Sequence, residues 1–260
     1  VAAIFRFQHM PGEEQHCDTA TALYELRLHH YVLGLEYAGS PYAHHTLGSC
    51  IAIRANAYVQ VRGFPKRAGA EDFYILNKLA KIGPISRLSG QCIQLQSRHS
   101  SRVPFGTGPA VAAIIAAGQP EDVRIFDHPR CFEALRALLA SLPELSQSPD
   151  VALAPLFVRQ GLDATVAEQS DGALQAMGIR SGLAHCQRQS ASSAQFLHQF
   201  HQWFDAFRTL KFMHLMRDAG WEQQSLTQLD ALQPNLWTAV MLPPYSIERL
   251  RAGLLRLNHD

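Results

Sequence analysis

The chain has 260 residues, of which 47% are hydrophobic, so it can bury one large core or two smaller ones. Its 23 Lys and Arg residues nearly balance its 22 Asp and Glu residues. This balance argues against nucleic acid or an anionic membrane surface as the partner. The sequence also lacks any run of about 18 apolar residues, so we expect no transmembrane segment.

The five cysteines are odd in number, widely spaced and never arranged as Cys-x-x-Cys. We therefore expect reduced thiols and a cytoplasmic protein. The chain begins with Val1 rather than Met, and its first residues already alternate as in a strand. We expect that a further part of the native protein precedes Val1.

Predicted strands alternate with predicted helices over the first 95 residues. The apolar patterns predict strands at residues 1–9 and 49–53, and one or two strands within 85–95. They predict helices at residues 18–37, at 55–61 and from Glu71 to a stop at Gly83-Pro84. Such alternation is typical of an α/β domain, which we assign to residues 1–112.

Strand signals fade after about residue 110, and helices are predicted within residues 132–142, 190–217 and 247–257. The longest of these carries apolar side chains at spacings of three and four. They are Phe196, Phe200, Trp203, Phe204, Phe207 and Leu210. This stripe is expected to face a core, and residues 113–260 are predicted to form an all-α region.

Four short segments follow one another within residues 48–73. They are Gly48-Ser49-Cys50-Ile51-Ala52-Ile53-Arg54, Ala57-Tyr58, Gly63-Phe64-Pro65 and Glu71-Asp72-Phe73. In order and composition they resemble the second half of a family two, GT-A type glycosyltransferase domain. The resemblance implies a partial, Rossmann-like GT-A fold, in which a buried strand leads through a short helix and a Gly-Phe turn to an acidic pair.

The resemblance further implies that Asp72, with Glu71 as the second candidate, is the general base that takes a proton from an acceptor hydroxyl. A sugar hydroxyl is a weak nucleophile, and a carboxylate within hydrogen-bond reach assists its attack. The competing interpretation is structural, because acidic residues in a first helical turn complement the helix dipole for about 0.3–1 kcal/mol each. The preceding segments, at the family's spacing, favour the catalytic interpretation.

The chain departs from the family at two places. It has Arg62-Gly63-Phe64 where the family commonly has Gly-Gly-Phe, and Arg54-Ala55 where the family often has paired arginines. Both departures concern the acceptor loop.

The loop that follows the last predicted strands contains Arg98, His99 and Arg102. Enzymes of the family that the sequence resembles bind the nucleotide diphosphate in this region. The resemblance therefore implies that Arg98 and Arg102 contact phosphate oxygens and that His99 ligates a divalent metal or donates to the leaving group. The competing interpretation is a solvated basic loop.

Two further histidines, His44 and His45, directly precede the segment that begins at Gly48-Ser49. If the resemblance holds, the two histidines lie near the acceptor pocket together with Gly48 and Ser49. The alternative is that one histidine packs against the core and the other faces solvent. A third, His9, ends the first predicted strand, and we interpret it as structural.

Enzymes of this type bind the donor with an N-terminal half and hold Mg²⁺ or Mn²⁺ with an Asp-x-Asp motif. Neither occurs in the first 70 residues, so we expect both upstream of Val1. The leading hypothesis is a metal-dependent, inverting transferase that joins a sugar from a nucleotide-sugar donor to a hydroxyl-bearing acceptor. Its helical region would cap the acceptor site or mediate oligomerisation. The alternative is a non-catalytic binding module built on a degenerate transferase half and a helical bundle.

Overall fold

The computed structural model describes residues 1–12, 14–98 and 106–257. Five short strands lie in this part of the chain, namely β1 (Ala2–Ile4), β2 (Phe7–Met10), β3 (Ile51–Ile53), β4 (Ile85–Arg87) and β5 (Ile93–Gln96). The strand predicted at residues 1–9 is thus two strands. The segment predicted as one or two strands within 85–95 is also two.

Helices make up most of the described chain. The helices of the first 116 residues are α1 (Gln15–Tyr37), α2 (Ala55–Gln60), α3 (Glu71–Ala80) and α4 (Thr107–Ala116). The remaining helices are α5 (Pro129–Ala140), α6 (Leu142–Gln147), α7 (Leu153–Arg159), α8 (Ala164–Ala176), α9 (Ile179–Arg188), α10 (Ser193–Trp203), α11 (Ala206–Asp218), α12 (Leu226–Leu229) and α13 (Ile247–Leu257). The helices predicted near residues 18–37, 55–61 and 71–82 are confirmed.

Strand β1 lies at the centre of a three-stranded sheet. It pairs antiparallel with β3 and parallel with β4, with Ala3 opposite both Ala52 and Ser86. Strands β2 and β5 form a separate parallel pair. Between β1 and β2 the pairing changes, because the carbonyl of Ile4 accepts from Leu88 and the carbonyl of Arg6 accepts from Ile93. The mixed α/β character predicted for the first half is confirmed at this level.

The chain divides into two compact units whose segments interleave in sequence. The mixed unit comprises Val1–Leu33, His44–Phe126 and Gln224–Asp260, and the helical unit comprises Gly34–Ala43 and Asp127–Gln223. The division predicted after residue 112, between an α/β domain and a helical region, stays a prediction. All five cysteines lie in the described residues and are free thiols, as expected.

Two apolar clusters hold the mixed unit together. In the first, Ile4 of β1 packs with Ile75, Leu76 and Leu79 of α3. In the second, the apolar face of α1 packs with α4, α12, α13 and the fully buried Trp237. Burying each such aliphatic side chain stabilises the fold by about 1.5–3 kcal/mol, so the first cluster holds α3 against β1.

The helical unit buries the aromatic stripe that the sequence predicts. Phe196, Phe200 and Phe204 are at most 2% exposed, whereas the other predicted members of the stripe are only half-buried. The long helix predicted over 190–217 is two helices, because the Asp205 side chain accepts from the backbone N–H groups of Phe207 and Arg208 at 3.1 and 3.2 Å. This N-cap starts a new helix.

The ring of Phe132 packs closely against Gly34 of α1, and this contact leads to a stability prediction. A Cβ there would lie 2.4 Å from the ring of the fully buried Phe132. We expect Gly34→Ala to lower the free energy of unfolding by about 1–3 kcal/mol through overpacking. The matched control is Gly172→Ala in α8, where a Cβ meets nothing within 4 Å and should add about 0.5–1 kcal/mol. Urea denaturation checks both, and equal stabilities of the two variants would contradict the packing at Gly34.

A second prediction concerns pH and the start of α5. The Nδ1 atom of His128 accepts from the backbone N–H of Arg130 at 3.1 Å, which requires an unprotonated nitrogen. Burial, and then the charge of Arg130, lower the pKa of His128 from 6.5 to about 4. Because the neutral form is favoured in the folded state, this cap is complete above pH 6.5 and weakens as pH falls towards 4.

The variant His128→Asn keeps a capping acceptor but does not titrate. We expect its free energy of unfolding to fall less than that of the wild type between pH 7 and pH 4.5, by about 1 kcal/mol. Chemical denaturation at the two pH values measures the difference. Identical acid sensitivity of the two proteins would rule out this role for His128.

Candidate functional site

The predicted acidic pair forms the first two residues of α3. The side chain of Asp72 is half-buried, and its Oδ2 accepts from the backbone N–H of Gly48 at 2.9 Å. Its Oδ1 accepts from the backbone N–H of Phe73 at 2.7 Å. The loop that precedes β3 and the start of α3 therefore meet at one carboxylate.

The surroundings of Asp72 favour its neutral form. Burial is the main cause of a raised pKa for Asp72, and the like charge of Glu71 adds to it, although the amides of Phe73 and Gly48 oppose it. Gly48 is exposed, so this side of the carboxylate faces solvent. A half-buried carboxylate with a raised pKa is a better proton acceptor than an ordinary surface aspartate.

Positive φ angles occur on both sides of the turn that leads to this carboxylate. Arg62 has φ 62°, Gly63 has φ 65° and Ala70, directly before Glu71, has φ 54°. Residues other than glycine rarely adopt positive φ angles. Each such residue lowers the stability of the fold by on the order of 1 kcal/mol. The backbone of Arg62 thus takes a conformation that glycine adopts without strain.

The segment from Gly48 to Cys50 is a short 3-10 turn. The strand predicted at residues 49–53 therefore begins at Ile51. The prediction that it is buried is wrong, because β3 is an edge strand in which Ile51 and Ile53 are half-buried and Ala52 is exposed. Ser49 is exposed in this turn, beside the residue that binds Asp72. The structure thus brings Gly48 and Asp72 together and leaves Ser49 open to solvent.

The predicted histidines His44 and His45 lie earlier in the same loop, before Gly48. His44 is 7% exposed, and burial lowers its pKa to about 4. The ring of His45 lies 5.0 Å from that of Phe7 and 4.5 Å from that of His29, between centroids. Burial and then the neighbouring His44 lower the pKa of His45 to about 4. Both imidazoles are therefore neutral at neutral pH.

The predicted diphosphate loop is described only at its start. Ser97 donates its backbone N–H to the carbonyl of Met10 at 3.0 Å, and Arg98 is exposed. His99 and Arg102 lie outside the described residues. Their assigned roles, like that of Arg98, stay predictions.

Sequence reasoning missed a buried polar network in the same unit. Glu25 of α1 is 2% exposed, and its Oε2 lies 2.6 Å from the backbone N and 2.9 Å from the Nδ1 of His9. Its Oε1 accepts from Nε of Arg251 in α13 at 2.9 Å. The available signal was a carboxylate on the apolar face of a predicted helix, which requires a buried partner. Nothing in the sequence identifies Arg251 as that partner.

Among residues 1–12, 14–98 and 106–257, no group of three or more His, Cys, Asp or Glu side chains is arranged to hold a metal ion. The predicted divalent cation thus has no ligand set in the described chain. The cation stays a prediction, and we assign no chemical step to it.

Comparison with known proteins provides no relative. No protein family, curated protein or solved structure matches the chain. In the described part of the chain, every helix is too short or too polar to span a bilayer. The function is therefore proposed from the contacts of this chain together with the resemblance of its sequence segments.

The strain at Ala70 generates a stability prediction with a matched control. Ala70→Gly should raise the free energy of unfolding by up to about 1 kcal/mol, because glycine tolerates this φ angle. The same substitution at Ala80, inside the last turn of α3, should lower it by about 1 kcal/mol. Chemical denaturation of both variants measures the two effects, and a loss of stability in Ala70→Gly would contradict the assigned backbone conformation.

Proposed function

We propose that the mixed unit is the acceptor-side half of a glycosyltransferase, with Asp72 as its general base. The enzyme would transfer a sugar from a nucleotide-sugar donor to an acceptor hydroxyl. The observation that carries this proposal is the 2.9 Å hydrogen bond from Gly48 to Asp72. It joins in space two of the segments on which the family resemblance rests, and their spacing in sequence does not require them to touch.

The chemistry follows from the position of the carboxylate. An acceptor hydroxyl donates a hydrogen bond to Asp72, and its oxygen attacks the anomeric carbon of the donor. The bond from that carbon to the nucleotide diphosphate breaks, and the hydroxyl proton passes to Asp72. Because Gly48 holds Oδ2 through a fixed backbone donor, the carboxylate is oriented before the acceptor arrives.

The raised pKa of Asp72 suits this role, because a base accepts a proton more readily as its pKa approaches the working pH. Glu71 contributes to that shift through its like charge. The competing structural interpretation is that Asp72 only satisfies N–H groups at the start of α3. The two interpretations differ in one respect, because a structural carboxylate affects stability and a catalytic one affects turnover.

The test is Asp72→Asn in the protein as its gene encodes it, with any residues that precede Val1. Asparagine keeps an acceptor for Gly48 but takes no proton. We expect kcat to fall by about 10²–10⁴-fold while the circular dichroism spectrum and the unfolding midpoint are retained. The measurement is release of nucleoside diphosphate and formation of glycosylated product, with a panel of nucleotide sugars and saccharide acceptors.

The matched control is Asp163→Asn. Asp163 caps α8 by accepting from the backbone N–H of Thr165 at 2.9 Å, so the same substitution removes a helix-start carboxylate that belongs to the helical unit. Its turnover should equal that of the wild type. Near wild-type turnover in Asp72→Asn would overturn the proposal and support the structural interpretation.

A further inference from the structure

Two exposed aromatic side chains meet at the end of α2. Tyr58 and Phe64 are each 40% exposed, and their ring centroids are 6.0 Å apart. The ring of Tyr58 packs directly against Gly63, where a Cβ would lie 2.8 Å from it. Its hydroxyl accepts from the backbone N–H of Phe64 at 3.5 Å. The aromatic pair is therefore held in place although much of its surface faces solvent.

Positive charge is concentrated around this aromatic pair. Residues 51–87 contain seven of the 23 Lys and Arg residues but only two of the 22 Asp and Glu residues. Arg54 lies one helical turn before Tyr58, whose backbone N–H donates to its carbonyl at 2.9 Å. Arg62 and Lys66 flank the second ring of the pair in the sequence. The near balance of charge over the whole chain thus conceals a local excess of cations.

Three of these cations have no partner in the part of the chain that the structure describes. The side chains of Arg54, Arg62 and Lys66 are exposed, and none forms a hydrogen bond or ion pair with a described residue. Arg62 also holds a left-handed backbone conformation, with φ 62°, which is unfavourable for a residue with a side chain. Guanidinium and ammonium groups in this state are available to an anion from outside the chain.

The cationic region continues to the candidate site. The Nζ of Lys78 in α3 donates to the carbonyl of Val61 at 3.3 Å, which joins α3 to the end of α2. The guanidinium of Arg67 lies 3.8 Å from the ring centroid of Tyr74, in the turn of α3 that also carries Asp72. We name the aromatic pair and its neighbouring arginines and lysine the basic aromatic surface. Its members are Arg54, Tyr58, Arg62, Phe64, Lys66 and Arg67.

We propose that the basic aromatic surface binds an acidic saccharide and presents one of its hydroxyl groups to Asp72. The flat apolar faces of Tyr58 and Phe64 pack against sugar rings. The guanidinium and ammonium groups bind the carboxylates of the saccharide. Binding of the saccharide does not depend on catalysis, whereas its role as the acceptor rests on the proposed function.

The distribution of charge favours a saccharide over a nucleic acid. A nucleic acid carries a negative charge on every nucleotide, and domains that bind it usually have a clear excess of basic residues. This chain has a formal net charge of only +1, and Glu71 and Asp72 adjoin the basic aromatic surface. A saccharide with a carboxylate on only some of its sugars fits both features. Its carboxylates meet the cations, and an uncharged hydroxyl lies beside Asp72.

The test is isothermal titration calorimetry of the protein as its gene encodes it, with two hexasaccharides as probes. One carries glucuronate at every second sugar, and the other is a neutral hexamer of N-acetylglucosamine. We expect the acidic probe to bind about tenfold more tightly, and its Kd to rise with added salt because salt screens exposed charges. Equal affinities would overturn the proposal. So would tighter binding of a single-stranded oligonucleotide, or displacement of the acidic probe by a nucleoside diphosphate.

Variants locate the binding on the surface. The double variant Arg62→Gln with Lys66→Gln should bind the acidic probe about tenfold more weakly. Phe64→Ala should also weaken binding, but without changing its dependence on salt. The charge-matched control is Arg188→Gln with Lys211→Gln, at two exposed positions of the helical unit, and it should bind as the wild type does. Equal losses in the two double variants would indicate a general effect of net charge and overturn the proposal.

Turnover separates this inference from the proposed function. With an acidic acceptor, the double variant Arg62→Gln with Lys66→Gln should raise KM and leave kcat unchanged, because its lost contacts are made before and during the reaction alike. If the acidic probe binds at this surface and no sugar is transferred to any acceptor, the surface stands and the proposed transferase falls. If a neutral acceptor is glycosylated and the acidic probe does not bind, the transferase stands and the acidic saccharide is wrong.

Discussion

The mixed unit depends on one buried carboxylate. Glu25 is almost completely removed from water, and an ionised group in that position is stable only if its partners replace the lost hydration. Its oxygens accept from the backbone and ring of His9 and from Arg251, so β2, α1 and α13 meet at one charge. Leaving a buried charge without its partner typically costs about 3–5 kcal/mol. This constraint explains why α13 belongs with the strands rather than with the helical unit.

The unit contains a second carboxylate in a different state. Glu25 is enclosed by donors from β2 and α13, whereas Asp72 is half-buried and receives its hydrogen bonds from backbone amides beside an exposed glycine. The first arrangement holds elements together. The second leaves a carboxylate oriented and open to solvent, which is what proton transfer from an acceptor requires. The contrast in burial and partners distinguishes a structural acid from a candidate base.

Backbone strain lies close to the same candidate base. Ala70 and Arg62 hold left-handed conformations at the two ends of the loop that connects α2 to α3. The packing of Ile75, Leu76 and Leu79 against β1 stabilises α3 enough to sustain this local cost. Strained backbone that a rigid core supports is a common property of functional sites. The left-handed conformation of Ala70 sets the direction in which the chain begins α3, where the acidic pair lies.

Local signals in the sequence determined several of the helices, among them α1, α2, α3 and α13, and the place of the acidic pair. The start of α3 at Glu71 and its end before Gly83-Pro84 follow from residues next to one another in the chain. The burial of Phe196, Phe200 and Phe204 follows from helical spacing in the same way. The family resemblance, which rests on the same local segments, yields a proposal about function.

Only the tertiary structure decided which distant residues meet. The contact of Gly48 with Asp72 spans 24 positions and that of Glu25 with Arg251 spans 226, and no local pattern encodes either partner. The split of the first strand reflects a change of pairing partner, which also lies outside the segment itself. Apolar spacing specifies which face of an element is buried. What covers that face depends on how the whole chain packs, and for this protein that packing creates the contacts of both Asp72 and Glu25.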